Sequence, residues 1–377
     1  VNYDLHIATT ERTLVDISDF ELKPGTLTFL LGESGIGKTL ISKAIFGLLP
    51  ATELDITIND QAYTEYINSP ICTEVQKQGF FVFQEASSHL NPMRTLADQL
   101  NEGSISDTST NKQILSRLFP AFSESERKNL LTIFPKPYRP SGGEKQRILI
   151  AMAFKKMAGM LQKKKGDSHL FIFDEPTGNL DDEYRNIFLK MLITAQQELQ
   201  FTALLITHDY SMISEIIHHY PDRLPQIDFQ ELRTQKGKLK QLPFSADMYI
   251  QWLDTLSPVK SSGPSLDTPI LSLDAEIQVF DRRLTVSTDQ QYSNPCALEI
   301  YPGDAVYLKA GSGVGKTTVA KIVMGLQPAD KFSLTIDNLA LNHKTKSNTW
   351  KNKIWAKTMA MVFQHADEAL NLNGKVK

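Results

Sequence analysis

The sequence predicts an α/β fold with a mixed sheet at its core, a β-rich lead-in and a helical subdomain. It is laid down once in full and then begun again. Three observations predict it. A glycine-rich turn, Gly32-Glu33-Ser34-Gly35-Ile36-Gly37-Lys38-Thr39, joins an apolar segment suited to a buried strand (27–31) to a helix-spaced one (40–48). A second apolar run, Leu170-Phe171-Ile172-Phe173, ends in the paired acids Asp174 and Glu175. Past residue 298 the chain repeats the text of its own N-terminal part.

The turn spells G-x-x-x-x-G-K-T in a strand–loop–helix setting, the context in which that pattern cradles phosphates. Glycines let backbone N–H groups wrap a triphosphate, and the following helix adds its positive dipole end. Lys38 is placed to reach the β- and γ-phosphates, and the Thr39 hydroxyl to ligate Mg²⁺. Upstream, residues 3–24 form the β-rich lead-in, closed by a Pro24-Gly25 turn.

Bulk properties bound the rest. At 377 residues the chain is long enough for two domains, each with a sizeable core. A hydrophobic fraction of 41% and a charged fraction of 22% are those of a globular protein. A net charge of −3 gives no reason to expect nucleic acid as a partner. Cys72 and Cys296 are too few and too far apart for a disulfide framework or a metal cluster, and read as small apolar residues. No apolar run approaches the roughly 20 residues needed to span a bilayer, and the N-terminus shows no signal-peptide pattern.

Further motifs follow in order. Gly79-Phe80-Phe81-Val82-Phe83-Gln84 is a short buried strand ending in a glutamine, and a helical subdomain is expected from about 88 to 160. A polar loop, 104–110, interrupts it. Pro140-Ser141-Gly142-Gly143 opens an apolar helix, which presents N–H groups to an anion. The run Lys163-Lys164-Lys165 is either a solvated loop or a contact for anionic lipid. Asp174 and Glu175 lie at a strand's carboxyl end, where open α/β sheets bind ligands. Asp174 suits a cation held through water, and Glu175 suits polarisation of an attacking water. Thr177-Gly178-Asn179-Leu180-Asp181 is a tight loop, and the apolar run 202–206 leads to Thr207 and His208.

This ordered set resembles the ATP-binding-cassette (ABC) ATPases across almost the whole first half. The resemblance implies that Lys38 and Thr39 belong to the Walker A loop and that Gln84 is the Q-loop glutamine, a further Mg²⁺ contact. Ser141, Gly142 and Gly143 become the signature, Asp174 and Glu175 the end of Walker B, Asp181 the D-loop aspartate and His208 the switch histidine. Glu175, His208 and Gln84 are thereby the catalytic set. Pro140 departs from the leucine common in the family at that position. Within the family, Gly32-Glu33-Ser34-Gly35 and Ser88-His89-Leu90-Asn91-Pro92 look like the oligopeptide, dipeptide and nickel importers. That likeness implies a membrane-subunit docking surface over 84–95, with Leu90 and Met93 as contacts.

Residues 1–256 thus form a complete cassette, 257–268 a Ser/Pro-rich linker and 269–377 the start of a second cassette. In that second copy Ala310-Gly311-Ser312-Gly313-Val314-Gly315-Lys316-Thr317, with Thr318, echoes the phosphate loop, and Met361-Val362-Phe363-Gln364 echoes the first Q-loop strand. Thr317 and Gln364 become its Mg²⁺ contacts. Ala310 stands where the first loop has glycine, which strains the backbone if that position needs a positive φ. The given sequence carries no second signature, Walker B strand or switch histidine, so the expectation is a fragment of a longer tandem protein or a half-cassette kept for binding.

The resemblance implies an ATP-hydrolysing subunit, with ATP and Mg²⁺, that energises solute import through separate transmembrane permease subunits and a solute-binding protein. A second cassette, in cis or as a homodimer, would complete the ATP sandwich, on the cytoplasmic, inner face of the cell membrane. Two other readings stay open: a soluble tandem protein of translation or DNA maintenance, and a non-catalytic cassette in a larger complex.

Overall fold

The computed structural model describes residues 1–102, 108–134, 140–160, 169–178, 180–236, 238–256, 268–279, 282–287, 294–310 and 314–363. The chain divides into two compact units, Val1–Ser257 and Pro258–Lys377.

The first unit begins with an antiparallel pair, β1 (Asn2–Ala8) and β2 (Thr13–Glu21). Next come β3 (Leu27–Gly32), α1 (Lys38–Ile45), β4 (Asp55–Ile58), β5 (Gln61–Ala62), α2 (Tyr63–Tyr66) and α3 (Pro70–Gln78). Alternating buried and exposed residues in β1 mark a half-buried strand, whereas all of β3 is buried, as a strand covered on both faces must be. Ser69 and Pro70 start α3 together: the Ser69 side chain accepts from the Cys72 N–H, and Pro70 occupies a position whose N–H has no helical partner.

β6 (Phe80–Val82) leads into the helical subdomain: α4 (Ala86–His89), α5 (Leu96–Asn101), α6 (Thr108–Leu118), α7 (Glu124–Leu131) and α8 (Gly142–Met160). Capping boxes fix the starts of α5 (Thr95 with Asp98) and α7 (Ser123 with Glu126). The chain then returns through β7 (Leu170–Asp174), α9 (Asp182–Leu199), β8 (Thr202–Ile206), α10 (Ser211–His219), β9 (Ile227–Gln235), β10 (Lys238–Pro243) and α11 (Ala246–Thr255).

Six strands form the central sheet in the order β10-β9-β3-β8-β7-β6, parallel from β9 to β6, with β10 antiparallel at the edge. The lead-in forms a second sheet, β2-β1-β4-β5. One core lies between the two sheets around Ile7, Phe20, Ile41 and Ile172; the other lies on the opposite face, where Phe171, Phe173 and Leu205 meet α8, α9 and α10. Because β3, β6, β7 and β8 run parallel, their carboxyl ends reach one edge of the sheet, which is where the motif residues sit.

The second unit repeats the lead-in. β11 (Leu271–Leu273), β12 (Glu276–Val279), β13 (Arg282–Thr285) and β14 (Leu298–Ile300) precede α12 (Lys316–Val323), β15 (Ser333–Ile336), β16 (Leu339–Asn342) and α13 (Ser347–Thr349). Its sheet, β14-β11-β15-β16, has the order of β2-β1-β4-β5. Leu273, Ile277, Ile322, Leu334, Trp350 and Ile354 form its core.

The described residues contain no helix long and apolar enough to cross a membrane. The linker stretch 257–267, the loop 103–107, the lysine run 163–165 and Asn179 lie outside the described residues.

Candidate active site

The phosphate loop is shaped by two glycines. Gly32 takes φ 137°, and a Cβ there would lie 2.9 Å from the Leu232 carbonyl oxygen. Gly37 takes φ 109°, and a Cβ there would lie 2.7 Å from Val15 Cγ2. Only glycine meets both demands without strain. α1 starts immediately after Gly37 with neither a side-chain cap nor an acid in its first turn, so its leading N–H groups and dipole are directed at the loop 33–37. Lys38 is buried; its Nζ donates to the carbonyl oxygens of Gly32 (2.6 Å) and Glu33 (2.8 Å). Burial lowers the Lys38 pKa, and the charges of Glu175 and Asp174 oppose that shift.

Asp174 ends β7 at 1% exposure, and its Oδ1 accepts from the Thr39 hydroxyl at 3.0 Å. Burial pushes its pKa up to about 6, helped by Glu175, while the Thr39 hydrogen bond and Lys43 and Lys38 pull the other way. A buried carboxylate that gives up its proton reluctantly, beside a hydroxyl oxygen, is a donor pair that a hard divalent cation would keep ionised. The residues therefore fit Mg²⁺.

Glu175 is the focus of the site. Its backbone adopts φ 45°, a conformation that a residue with a Cβ rarely takes, and its N–H bonds the Ile206 carbonyl at 2.9 Å. This turn lifts the carboxylate off the end of β7 and across the ends of its neighbours β6 and β8. Gln84 Nε2 donates to Glu175 Oε2 at 2.8 Å, and His208 Nδ1 lies 3.1 Å from Oε1. Thr177, Leu180, Thr207 and Asp209 line the cleft beside it.

The structure thus brings Gln84, Glu175 and His208 together, with Lys38, Thr39 and Asp174 in a contiguous cluster. Ser141, Gly142 and Gly143 stand at the start of α8; among the described residues no hydrogen bond joins them to that cluster. Ser141 and Glu144 form a reciprocal cap: the Ser141 N–H donates to Glu144 Oε2 at 2.7 Å, and the Glu144 N–H to Ser141 Oγ at 3.3 Å. Its S-x-x-E spacing is legible in sequence as a capping box. Asp181 caps α9, accepting from the Tyr184 N–H at 3.0 Å.

The docking contacts expected around the Q-loop separate. Met93 is 82% exposed, but Leu90 is buried at 3% and packs into the core of the helical subdomain, so it is not a surface contact. The reason is local: Phe83 and His89 stack face to face at 3.4 Å, turning the segment back on itself. Motif reading also missed Gln146, whose Nε2 donates to the Phe83 carbonyl at 3.1 Å and ties α8 to the residue before Gln84.

In the second unit, Val314, Gly315, Lys316, Thr317 and Thr318 keep the loop-to-helix turn. Gly315 takes φ 124°, and Lys316 Nζ donates to the Ala310 carbonyl, as Lys38 does to Gly32. Gly311, Ser312, Gly313 and Gln364 lie outside the described residues. The echo of the Q-loop strand does not form a strand: residues 361–363 are irregular and Val362 is 97% exposed. Its counterpart β6 is held by β7, and no strand among the described residues offers 361–363 that pairing.

A glycine-shaped loop between a buried strand and a helix, a carboxylate beside a hydroxyl, and a second carboxylate aimed past the strand ends together define the P-loop nucleoside-triphosphatase fold class. Comparison with known proteins narrows the class. The family model described as ABC transporter matches residues 15–178 and 293–376, more than half the chain, and the chain belongs to that family. The fold and family expected from the motif order are borne out.

Among curated relatives, the oligopeptide transport ATP-binding protein AppD of Bacillus subtilis is 30% identical over 210 residues, covering 53% of this chain and 60% of the relative. The ABC transporter ATP-binding protein YejF of Escherichia coli, itself uncharacterised, is 30% identical over 55% of this chain and 39% of its own length. The putative hemin import ATP-binding protein HrtA of Staphylococcus aureus is 28% identical over 56% of this chain and 86% of its own. The chain spans 60% or less of the first two.

Proposed function

We propose that the first unit binds and hydrolyses ATP and that hydrolysis energises import of a peptide or related small solute through separate membrane subunits. The observation that carries this reading is Glu175 at the end of a buried strand, held by Gln84 and His208 beside the phosphate loop. Lys38 and the N–H groups of 33–39 would bind the β- and γ-phosphates. Glu175 would orient a water in line with the terminal phosphorus, and His208 would sense that phosphate and fix the carboxylate. Thr39 and Asp174 would hold Mg²⁺, with Gln84 at its margin; the cation would supply neutralisation of the phosphate charge. Catalysis is then mostly positioning.

The assignments of Ser141–Gly143 and Asp181 belong to the same reading: the exposed start of α8 would meet ATP held by a facing cassette. Gly311–Thr318 and Gln364 would form a second nucleotide loop with Thr317 as its Mg²⁺ contact. Support for a peptide-type solute comes from the name of AppD, while HrtA leaves hemin as the competing cargo.

Glu175→Gln should leave ATP affinity within about twofold of the parent while lowering turnover by about two orders of magnitude or more. Lys38→Ala should instead weaken nucleotide binding itself. Parent-like turnover in Glu175→Gln would remove the glutamate from this role. Uptake of labelled peptide by membranes carrying the chain, set against hemin, distinguishes the two cargoes.

A further inference from the structure

The two halves of the site, the signature turn on α8 and the Glu175–His208 pair at the sheet edge, share no hydrogen bond among the described residues, yet both are fastened to one turn of helix. On one side Arg147, buried in α8 four residues after Gly143, places its guanidinium between two rings. It lies 4.3 Å from the centroid of Phe119 in the helical subdomain and 4.0 Å from that of Tyr184 on α9. The same guanidinium donates to the Leu118 carbonyl at 3.2 Å, and its Nε to the Gly143 carbonyl at 3.4 Å. A desolvated guanidinium between two aromatic faces is a strong, directional contact. It binds the signature turn to Tyr184.

On the other side Arg185, the next residue, has a side chain only 12% exposed. Its Nη1 donates to Asp182 Oδ1 at 3.1 Å, to Asp209 Oδ2 at 3.3 Å and to Ser211 Oγ at 2.5 Å, and its Nε to Asn186 Oδ1 at 3.0 Å. Asp209 is the residue after His208. Its other oxygen accepts from the Ser211 N–H at 3.0 Å and from the Ser211 hydroxyl, and its own N–H donates to Thr207 Oγ1 at 2.9 Å. Asp209 therefore closes the turn that presents His208 to Glu175, and Arg185 holds Asp209. The helix turn between the two contacts is itself stiff: Asp181 accepts the Tyr184 N–H with its side chain and the Arg185 N–H with its carbonyl.

We infer that the first turn of α9 is a relay, in which Tyr184 and Arg185 transmit the position of the signature turn to the loop carrying His208. This rests on the proposed ATP hydrolysis, to which it assigns two positioning residues. Among the described residues neither hydrogen-bonds to the phosphate-loop cluster or to Glu175 or His208; each acts through a partner, Tyr184 through Arg147 and Arg185 through Asp209. An ATP engaged at Ser141 would thereby bias the Glu175–His208 pair of the same unit. Adjacent residues point about 100° apart around a helix, so one turn can grip two elements that do not meet.

The test uses the full chain and amide hydrogen exchange over 207–212, which needs no turnover. Tyr184→Leu removes the ring but keeps a helix-forming apolar side chain; Tyr184→Phe keeps the ring. Arg185→Met removes the hydrogen bonds but keeps the stem, and Arg185→Lys keeps the charge. Tyr184→Leu and Arg185→Met should each speed exchange over 207–212 by about fivefold or more, with β3, β7 and β8 unchanged. Tyr184→Phe should match the parent, and Arg185→Lys should fall between. In turnover, the first two should lower kcat with ATP affinity unchanged, and combining them should cost little beyond the larger single loss.

Exchange over 207–212 that is unmoved by Tyr184→Leu would show two independent contacts and overturn the relay. A uniform rise across β3, β7 and β8 would reduce both residues to fold stabilisers and overturn it equally. A parent chain that hydrolyses no ATP would sink the proposed function instead, while the exchange result would still decide the relay.

Discussion

The two copies of the phosphate loop share a spelling and differ in what stands beside them. In the first, β3 lies between β8 and β9, and each of its six residues is buried. In the second, the corresponding stretch 305–310 forms no strand; Val306 is 48% exposed and Tyr307 84%. The helix after the loop nevertheless forms in both, α1 and α12 each starting at the lysine and running eight residues. The difference teaches which part of the motif is local. A helix satisfies its backbone within itself, whereas a central strand exists only where neighbours accept and donate its hydrogen bonds. The lead-in sheet survives in both copies because its four strands all lie in the N-terminal portion that is repeated.

The largest effect should separate the copies at equivalent positions of that stretch. Phe29, fully buried on β3 beside its cross-strand neighbour Phe229, corresponds to Tyr307. Phe29→Ala should cost about 3–5 kcal/mol, the sum of lost transfer energy and the cavity left behind. Tyr307→Ala should change stability by no more than about 0.5 kcal/mol, as at any exposed site. Denaturant unfolding of the two variants measures both. A Tyr307→Ala loss comparable to that of Phe29→Ala would mean that the second stretch is packed in solution.

Much of the site was legible because its residues are presented by backbone features with sequence signatures. Gly32 to Thr39, Asp174, Glu175, Gln84 and His208 each end an apolar run, and parallel strands bring such ends to one edge whatever the details of packing. What escaped was side-chain geometry. Nothing in the spacing sets Arg147 between Phe119 and Tyr184, or Arg185 against Asp209, since those contacts depend on how helices settle on the sheet. Leu90 reads as a docking contact, yet it packs into the core of the helical subdomain. The irregular 305–310 and 361–363 stretches escaped for the opposite reason: their local pattern favours strand, and the missing term is a partner.

A second contrast concerns charge. The buried ionisable side chains, Asp174 among them, all belong to the first unit among the described residues. With its pKa raised from 3.8 to about 6, folded Asp174 holds its proton more tightly than the unfolded chain does. Its stabilising contribution is therefore complete below about pH 4 and is lost as the pH rises through 6. With nucleotide absent and a chelator present, Asp174→Asn should match the parent near pH 4 and be more stable than it by on the order of 3 kcal/mol at pH 8. Adding Mg²⁺ and ATP should reverse that order at pH 8, because the variant lacks the charge that the cation would use. Thermal melts across the pH range check both signs; parallel curves at every pH would mean that burial does not govern this carboxylate.

The smallest effect, and the sharpest test of the comparison, is the exchange of one methyl between the two loops. Gly32 takes a φ of 137°, and the chain leaves β3 under the Leu232 carbonyl, where a Cβ would stand 2.9 Å away. Ala310 occupies the same place in the second loop without adopting a positive φ, and its carbonyl still accepts from Lys316. At Gly32 glycine is thus demanded twice, by the backbone's positive φ and by the Leu232 carbonyl on the neighbouring strand β9. Gly32→Ala should accordingly cost about 1–3 kcal/mol in stability, from strain at a conformation nearly reserved for glycine. It should also weaken ATP binding, because the carbonyl that positions Lys38 would move with the backbone. Ala310→Gly should cost no more than about 1 kcal/mol, through the greater freedom it gives the unfolded chain. If Gly32→Ala melted and bound nucleotide as the parent does, Leu232 could yield to the methyl, and the alanine in the second loop would mark no structural difference between the copies.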